Sequence, residues 1–464
     1  MNDVETLVAR ARSTQQIFAQ AEQPLIDMAV AAAAWAILEP GRNRALAEQA
    51  VAETGLGNVA DKVAKNHRKT LGLLRDLHGA KSAGVIHEDL ALGLTEIARP
   101  VGVVAAITPS TNPAATPVNN VINALKGRNA IVLAPSPKGA GTCARLLDYI
   151  HAELAKIGLP VDLVQMLPAP ASKQQTAELM RVADLVVATG SRANVRAAYA
   201  SGTPALGVGA GNVAAIVKPA ADMALAAARI AASKTFDNAT SCSSENSLVI
   251  VGEAWRPLIA ALTNEGGVLL AEKVASRLQS AMFPDGHLAP EAVGRDALSL
   301  IRLAGFKPDS FAGARFLMVE QQPSQIGPEH PFSGEKLSPV LTLYRASDFT
   351  HAIALVRALY EHQGKGHSVG IHGGGPEDWL RLGEELPVCR VIVDQVHSAA
   401  TGGAFDNGLP FSLSMGCGTW GGNGFSDNLN YRHFLNITQI VRPIPPRMPE
   451  VEDVLGAYWS AYGR

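Results

Sequence analysis

The sequence predicts an α/β protein built on two doubly wound parallel sheets. Three observations point there. From about residue 92, apolar runs of strand length alternate with stretches of helical period, as in a parallel sheet covered by helices on both faces. The series closes near residue 233 and begins again with the run SLVIVG. The 464 residues, 47% of them hydrophobic, suffice for two cores rather than one.

Before the alternation starts, residues 2–78 read as helices. DVETLVARARSTQQIFAQA, LIDMAVAAAAWAILE and RNRALAEQAVAETG have helical periodicity, and Gly55 and Gly57 end the third. MAVAAAAWAIL is too short to span a bilayer and reads as a buried helix. NVADKVAKNHRKTLGLLRDLHG is a basic helix. Its Lys65, His67, Arg68 and Lys69 form either a solvated face or a surface near an anionic ligand.

LGLTEIARPVGVVAAITPS reads as a hairpin near 92–104 feeding a buried strand. Strands NAIVLAPS, DLVQMLP, DLVVATG and NVAAIVKP follow, separated by helices, and complete an expected cofactor-binding domain over 1–233. SLVIVG, FLMVE, VLTLYRA, HSVGIHG and CRVIVDQ form a second domain over 234–424. Residues 425–464 and the hairpin are expected as an oligomerisation arm, since exposed strands tend to be covered or paired. A homodimer or homotetramer is the expected assembly.

Composition removes other classes. The net charge of −2 carries no basic footprint of a nucleic-acid binder. Cys143, Cys242, Cys389 and Cys417 are dispersed with no CxxC pair, which argues against a disulfide framework or a structural zinc site and for a reducing compartment. The polar N-terminus has no signal-peptide core, so a soluble cytoplasmic protein is expected, with no membrane partner and no metal.

Five short stretches carry chemistry. Cys242 lies in TFDNATSCSSENS, among small polar residues and at the junction of the two series, where a cleft is expected. It is either a nucleophile or a small buried residue. Asn112 in ITPSTNP follows a buried strand and is either an Asx turn or an oxyanion donor. APSPKG places Ser136 and Lys138, with no acidic residue, at a strand end where NAD enzymes hold ribose hydroxyls, which leans toward NADP over NAD; the alternative is a turn merely stiffened by Pro135 and Pro137. Gly190 and Ser191 in ATGSRANV stand between a strand and a helix, where free N–H groups face a phosphate. Glu335 in GEKLSPV precedes an apolar strand and, by itself, reads as a solvated loop carboxylate.

Taken together, ITPSTNP, APSPKG, ATGS, GVGAGN, DNATSCSSE, EKLSPV and GCGTWGGN occur in the order found in the aldehyde dehydrogenase superfamily. The resemblance covers about 95–440, and DNATSCSSE with GCGTWGGN is similar to the CoA-acylating branch. It implies Cys242 as nucleophile, Asn112 as oxyanion amide and Glu335 as the carboxylate on the nicotinamide ribose. It further implies Gly190 and Ser191 as the pyrophosphate turn and Ser136 with Lys138 as the adenosine-ribose loop. His367 in GKGHSVG matches a histidine near the active site, the alternative being a surface histidine at a strand start. Hydrolytic members carry a water-activating glutamate at the start of the segment that reads GVGAGN here, and Gly207 or Val208 takes that place. Without that base an acyl-enzyme awaits a better nucleophile, and a CoA thiolate is one. Within the branch, the chain looks most like members acting on sulfoacetaldehyde, with succinate-semialdehyde and acetaldehyde members as neighbours. A hydrolytic enzyme or an inactive scaffold are the rival expectations.

Overall fold

The structure, a computed structural model, describes residues 3–209 and 211–464; Met1, Asn2 and Ala210 of the GVGAGN segment lie outside the described residues. Four helices open the chain, at Asp3–Phe18, Gln23–Leu38, Pro40–Thr54 and Val59–Leu77. The Glu39 carboxylate caps the third helix by accepting from the Gly41 and Arg42 N–H groups, and Gly55 closes it at φ 67°. Asn58 caps the fourth, its side chain accepting from the Asp61 N–H. The alanine-rich second helix buries Ala29, Ala33 and Ala36 and packs on the helices Ala115–Lys126 and Ala140–Lys156. No single helix among the described residues is long and apolar enough to cross a membrane.

A five-stranded parallel sheet runs in the spatial order Val164–Met166, Ala130–Pro135, Val103–Thr108, Leu185–Thr189, Ala205–Val208. From the central strand Val103–Thr108 the chain moves outward to one side, then returns to the other at Leu185–Thr189. The carboxyl ends of those two neighbours form the topological switch point, where open α/β sheets bind ligands.

The second sheet has seven parallel strands in the order Gly267–Leu269, Phe316–Glu320, Val340–Ala346, Glu245–Val251, Val213–Val217, Val369–His372, Val391–Val393. Strand periodicity puts alternate residues on opposite faces, and both faces are buried. Ala214, Ile216 and Val249 pack on one side with Ile353, Val356 and Leu359 of the helix Phe349–His362. Ala215, Val217 and Leu248 pack on the other with Ala227 and Ile230 of Met223–Thr235 and Leu258 of Trp255–Asn264.

Three details differ from the sequence reading. Val213–Val217, read as the last strand of the first series, lies inside the second sheet, so the division between the sheets falls after Val208 rather than near 233. All five of its residues are buried, and a strand apolar on both faces carries no periodicity to say which sheet takes it. Ala205–Val208, a strand the sequence reading did not name, is the edge strand of the first sheet and runs into the GVGAGN segment. The hairpin is Gly84–Asp89 with Leu94–Pro100, and Gly102, at φ 126°, separates it from the parallel strand Val103–Thr108.

Leu94–Pro100 also pairs with Leu435–Val441, completing a three-stranded antiparallel ribbon. A helix, Val451–Tyr462, follows and buries none of its residues, leaving Val454, Leu455, Tyr458 and Tyr462 exposed. Between the second sheet and this ribbon the chain returns to the first core, where Phe411, Leu429 and Phe434 are buried.

Phe411 approaches the helix Val59–Leu77 at Gly72, where a Cβ would collide with the phenyl ring. Gly72→Ala should therefore lower stability by about 1–3 kcal/mol, the ordinary cost of overpacking a close contact. Urea unfolding of the variant against the parent measures it, and an unchanged midpoint would contradict the close approach.

Candidate active site

A cavity of about 330 Å³ opens at the switch point. Its wall includes Pro109–Asn112 from the end of Val103–Thr108, Thr189–Ser191 from the end of Leu185–Thr189, and Val208–Gly209 beyond Ala205–Val208. The second sheet contributes Thr240–Ser243, ahead of Glu245–Val251, and Glu335 with Leu337, ahead of Val340–Ala346. Lys69, Thr116, Ser398, Gly402, Ser412, Leu413 and Met415 complete the enclosure. Asn112, Gly190, Ser191, Cys242 and Glu335, from four separate stretches of chain, thus share one wall.

The loop before Cys242 is held in an unusual backbone. Asp237, Asn238 and Ala239 have φ of 51°, 51° and 58°, a left-handed run without glycine. Asp and Asn tolerate that region best, and such residues cost of order 1–3 kcal/mol each unless their surroundings hold them. Here the surroundings do. The Asp237 N–H donates to Asp61 Oδ2 at 2.7 Å, and its Oδ1 accepts from the Asn58 N–H at 3.0 Å. Asp237 Oδ2 accepts from Lys65 Nζ at 2.5 Å, Lys62 Nζ at 3.1 Å and Thr240 Oγ1 at 2.8 Å. Burial alone would push the Asp237 carboxyl up, but Lys65, Lys62 and the hydrogen bonds outweigh it and hold it below the ordinary carboxylate range.

Lys65 does a second thing. Its Nζ donates to Asn112 Oδ1 at 2.9 Å. An amide whose oxygen accepts from an ammonium must carry its NH2 on the other side, so the flip of Asn112 is decided by this contact. Lys62 donates to the Thr111 carbonyl at 3.1 Å, holding the same turn from below. Lys62, Lys65 and Lys69 are all buried, so the solvated-face reading of this basic helix fails for them; His67 alone in the run is exposed.

Cys242 sits half-buried in a turn closed by the Ser244 N–H to Ser241 O bond, 3.1 Å, and leading into a strand rather than a helix. Burial, and then the nearby Glu335 carboxyl, push its thiol up to about 12. Burial likewise pushes Glu335 up to about 8, against the Gly211 N–H that donates to its Oε1 at 3.2 Å and the cations Arg192, Lys234 and Lys336. Glu335 is half-buried on the cavity wall, not a solvated loop residue. Gly211 lies between the two: a Cβ there would overlap the Cys242 carbonyl oxygen.

The other sequence candidates stand outside that wall. Ser136 follows Ala130–Pro135 on the same sheet edge, its N–H donating to the Thr108 carbonyl at 3.0 Å, and Lys138 is exposed beside it. His367 is 1% exposed, so the surface alternative fails. Its Nδ1 is 2.8 Å from Ser368 Oγ, its Nε2 has no hydrogen-bond partner, and burial beside Arg390 pushes it down to about 3, so the ring is neutral. Gly207 faces Val195 and Tyr199, whereas Val208 lines the cavity. Glu335 is the one carboxylate on this wall among the described residues.

The model of the aldehyde dehydrogenase family matches residues 1–273. An acylating sulfoacetaldehyde dehydrogenase of Cupriavidus necator is 62% identical over 461 residues, covering 99% of this chain and 93% of that protein. The chain belongs to the aldehyde dehydrogenase family. Its fold is that of solved acylating members: an acetylating aldehyde dehydrogenase of Geobacillus thermoglucosidasius superposes with a TM-score of 0.91 at 34% identity, over 97% of this chain and 98% of that one. A propionaldehyde dehydrogenase of Rhodopseudomonas palustris, solved with bound CoA and an acylated cysteine, superposes with a TM-score of 0.83 at 26% identity, over 95% and 97% of the two chains.

Sequence reasoning missed two features of this family member. The Asp237 carboxylate under Asn112 joins residues 172 and 175 positions apart, and no local pattern announces it. A second cavity, of about 380 Å³, meets the first at Gly209 and gathers Arg192, Arg196, His362 and Lys365 from distant segments.

The high thiol value makes a kinetic prediction. Alkylation of Cys242 in the cofactor-free enzyme, followed by mass spectrometry of its peptide, should quicken about tenfold per pH unit between about pH 7 and pH 9, as the scarce thiolate grows. Glu335→Gln should change little below about pH 8, where the carboxyl is protonated, and accelerate alkylation above it by removing a neighbouring negative charge. A plateau below pH 9 would show an already ionised thiol.

Proposed function

We propose that this chain is a CoA-acylating aldehyde dehydrogenase that oxidises sulfoacetaldehyde with NAD(P)+ and CoA through a thioester on Cys242. The observation that carries the reading is the wall itself. A thiol and an oriented amide NH2 share one cavity, and Val208 rather than a carboxylate lines it at the segment where the resemblance places the hydrolytic base. The relative's activity, at 62% identity, supports the choice of sulfoacetaldehyde over succinate semialdehyde or acetaldehyde.

The residues fit a dinucleotide. Gly190, at φ 142° with nothing but Pro109 near its missing Cβ, opens onto the N-terminus of the helix Arg192–Ala200, which Ser191 caps. Glu335 reaches the same wall for a ribose hydroxyl. Ser136 and the exposed Lys138, with no carboxylate in their loop, favour NADP+ over NAD+. The adjoining cavity, with Arg192 and Arg196 beside the Lys365–Glu361 ion pair, suits the phosphates of a dinucleotide or of CoA.

Bound NAD(P)+ supplies the hydride acceptor. In the chain's part of the reaction, the Cys242 thiolate bonds to the aldehyde carbon and the oxygen takes the negative charge. Asn112, held by Lys65, stabilises that oxyanion by about 3 kcal/mol, together with the Cys242 backbone N–H. As the oxyanion collapses and the C–H electron pair departs as hydride, Cys242 is left as a thioester. The CoA thiolate then attacks that carbonyl, passes through a second oxyanion at Asn112, and expels the Cys242 thiolate as acyl-CoA forms. His367, neutral and with a free Nε2, is proposed as a further participant near this centre.

The experiment is initial rates of NADH and NADPH formation with sulfoacetaldehyde, succinate semialdehyde and acetaldehyde, each with and without CoA. A strict need for CoA, a preference for sulfoacetaldehyde, and loss of turnover in Cys242→Ser are expected. Turnover without CoA would show that water reaches the thioester unaided and return the hydrolytic reading.

The exposed apolar side chains of Val451–Tyr462, with Leu435–Val441 at the edge of its ribbon, support a homo-oligomer assembled through this arm. Truncation after Arg442 should lower the mass seen by light scattering to a smaller assembly. An unchanged mass would place the interface elsewhere.

A further inference from the structure

We infer that Lys69 selects the substrate: its ammonium group holds the anionic substituent of the aldehyde while the carbonyl carbon sits at Cys242. The inference rests on the sulfoacetaldehyde reading above and gives it a residue. Of the basic side chains in the sequence, Lys69 is the one that lines the Cys242 cavity among the described residues.

Its environment sets it apart from its neighbours on the same helix. Lys62 and Lys65 are buried but share the Asp237 carboxylate as counter-ion. Lys69 is 5% exposed and has no carboxylate within ion-pair range among the described residues. Its Nζ donates to the Gly402 carbonyl at 2.6 Å and, at 3.4 Å, to the Gly403 carbonyl, which leaves a third N–H for the cavity. The face of Phe411 lies 5.5 Å from the same nitrogen. Asp76 is engaged elsewhere, by Arg75 and by the Phe411 N–H.

A buried ammonium without a counter-ion is costly, and a protein that keeps one has a use for the missing negative charge. A sulfonate, ionised at every working pH, supplies it. Burial, with Arg68 and Lys65 nearby, pushes Lys69 well below its ordinary value, and an anion beside it reverses that shift. Thr116 and Ser398 stand on the same wall with hydroxyls for the remaining sulfonate oxygens. Ser398 also lines a further cavity, of about 680 Å³, together with His67 and Arg68.

A purely structural role is the competing account, with Lys69 tying the helix Val59–Leu77 to residues 402 and 403. The two accounts separate on substrate discrimination, because a tether serves every aldehyde equally. In Lys69→Met, kcat/KM for sulfoacetaldehyde should fall roughly 10- to 100-fold, chiefly through KM, as for loss of a charge-assisted hydrogen bond. Acetaldehyde should lose far less, and Lys69→Arg should retain part of the preference. Equal losses on both aldehydes would overturn the role of Lys69 while leaving the substrate reading intact. A parent enzyme that does not favour sulfoacetaldehyde would instead fail the substrate reading, and the inference with it. Should Lys69→Met not fold, the parent and Lys69→Gln are compared for protection of Cys242 from alkylation by ethanesulfonate. Protection of the parent and not the variant is expected; equal protection would overturn the inference.

Discussion

The Asp237 carboxylate is the contact on which the site depends. It takes hydrogen bonds from two lysines of the helix Val59–Leu77, from the backbone just ahead of that helix, and from Thr240 two residues before the cysteine. One side chain thereby ties the N-terminal helices to the loop that presents Cys242. The three left-handed residues 237–239 persist because this contact, with Asp61 and the Asn238 bond to Gly294 O, over-determines them. Through Lys65 the same carboxylate also reaches Asn112, so the thiol and the amide on opposite sheets are positioned by one buried ionic cluster.

That cluster is an expensive way to build a site. Two ammonium groups are taken out of water against the Asp237 carboxylate, with Asp61 bonded to the same loop, and burial already pushes Lys62 down to about 8. Apolar residues of similar volume commonly serve stability as well as a buried ion pair does. What they cannot do is orient an amide or bias a closed pocket toward negative charge. Here Lys65 holds Asn112 and Lys69 lines the same cavity, so both bring cationic groups close to Cys242.

Much of the site was legible in the primary structure. Cys242, Asn112, Gly190 and Ser191 stood out as small-polar or glycine-containing interruptions beside apolar strands, whereas Glu335 by itself read as a solvated carboxylate; all five converge on one wall. Elements with clear period were equally readable, such as Ala140–Lys156 and Phe349–His362. Lys65 and Lys69 were visible as charges but not as buried ones, because a basic helical stretch has the same pattern whether its cations face water or a carboxylate from a distant loop. Val213–Val217 went to the wrong series for a related reason: five buried apolar residues specify a strand and not its neighbours.

By itself, then, the sequence determined the α/β class, most of the succession of strands and helices, and the chemistry available to the candidate groups, since these follow from local periodicity and from what a thiol, an amide or a carboxylate can do. Tertiary structure decided which strand joins which sheet, which lysines are paired with Asp237, and that Lys69 lines the Cys242 cavity without a carboxylate counter-ion among the described residues. Those outcomes rest on contacts between residues far apart in the chain. Burial, and with it the meaning of a charge, exists only once those distant segments have packed.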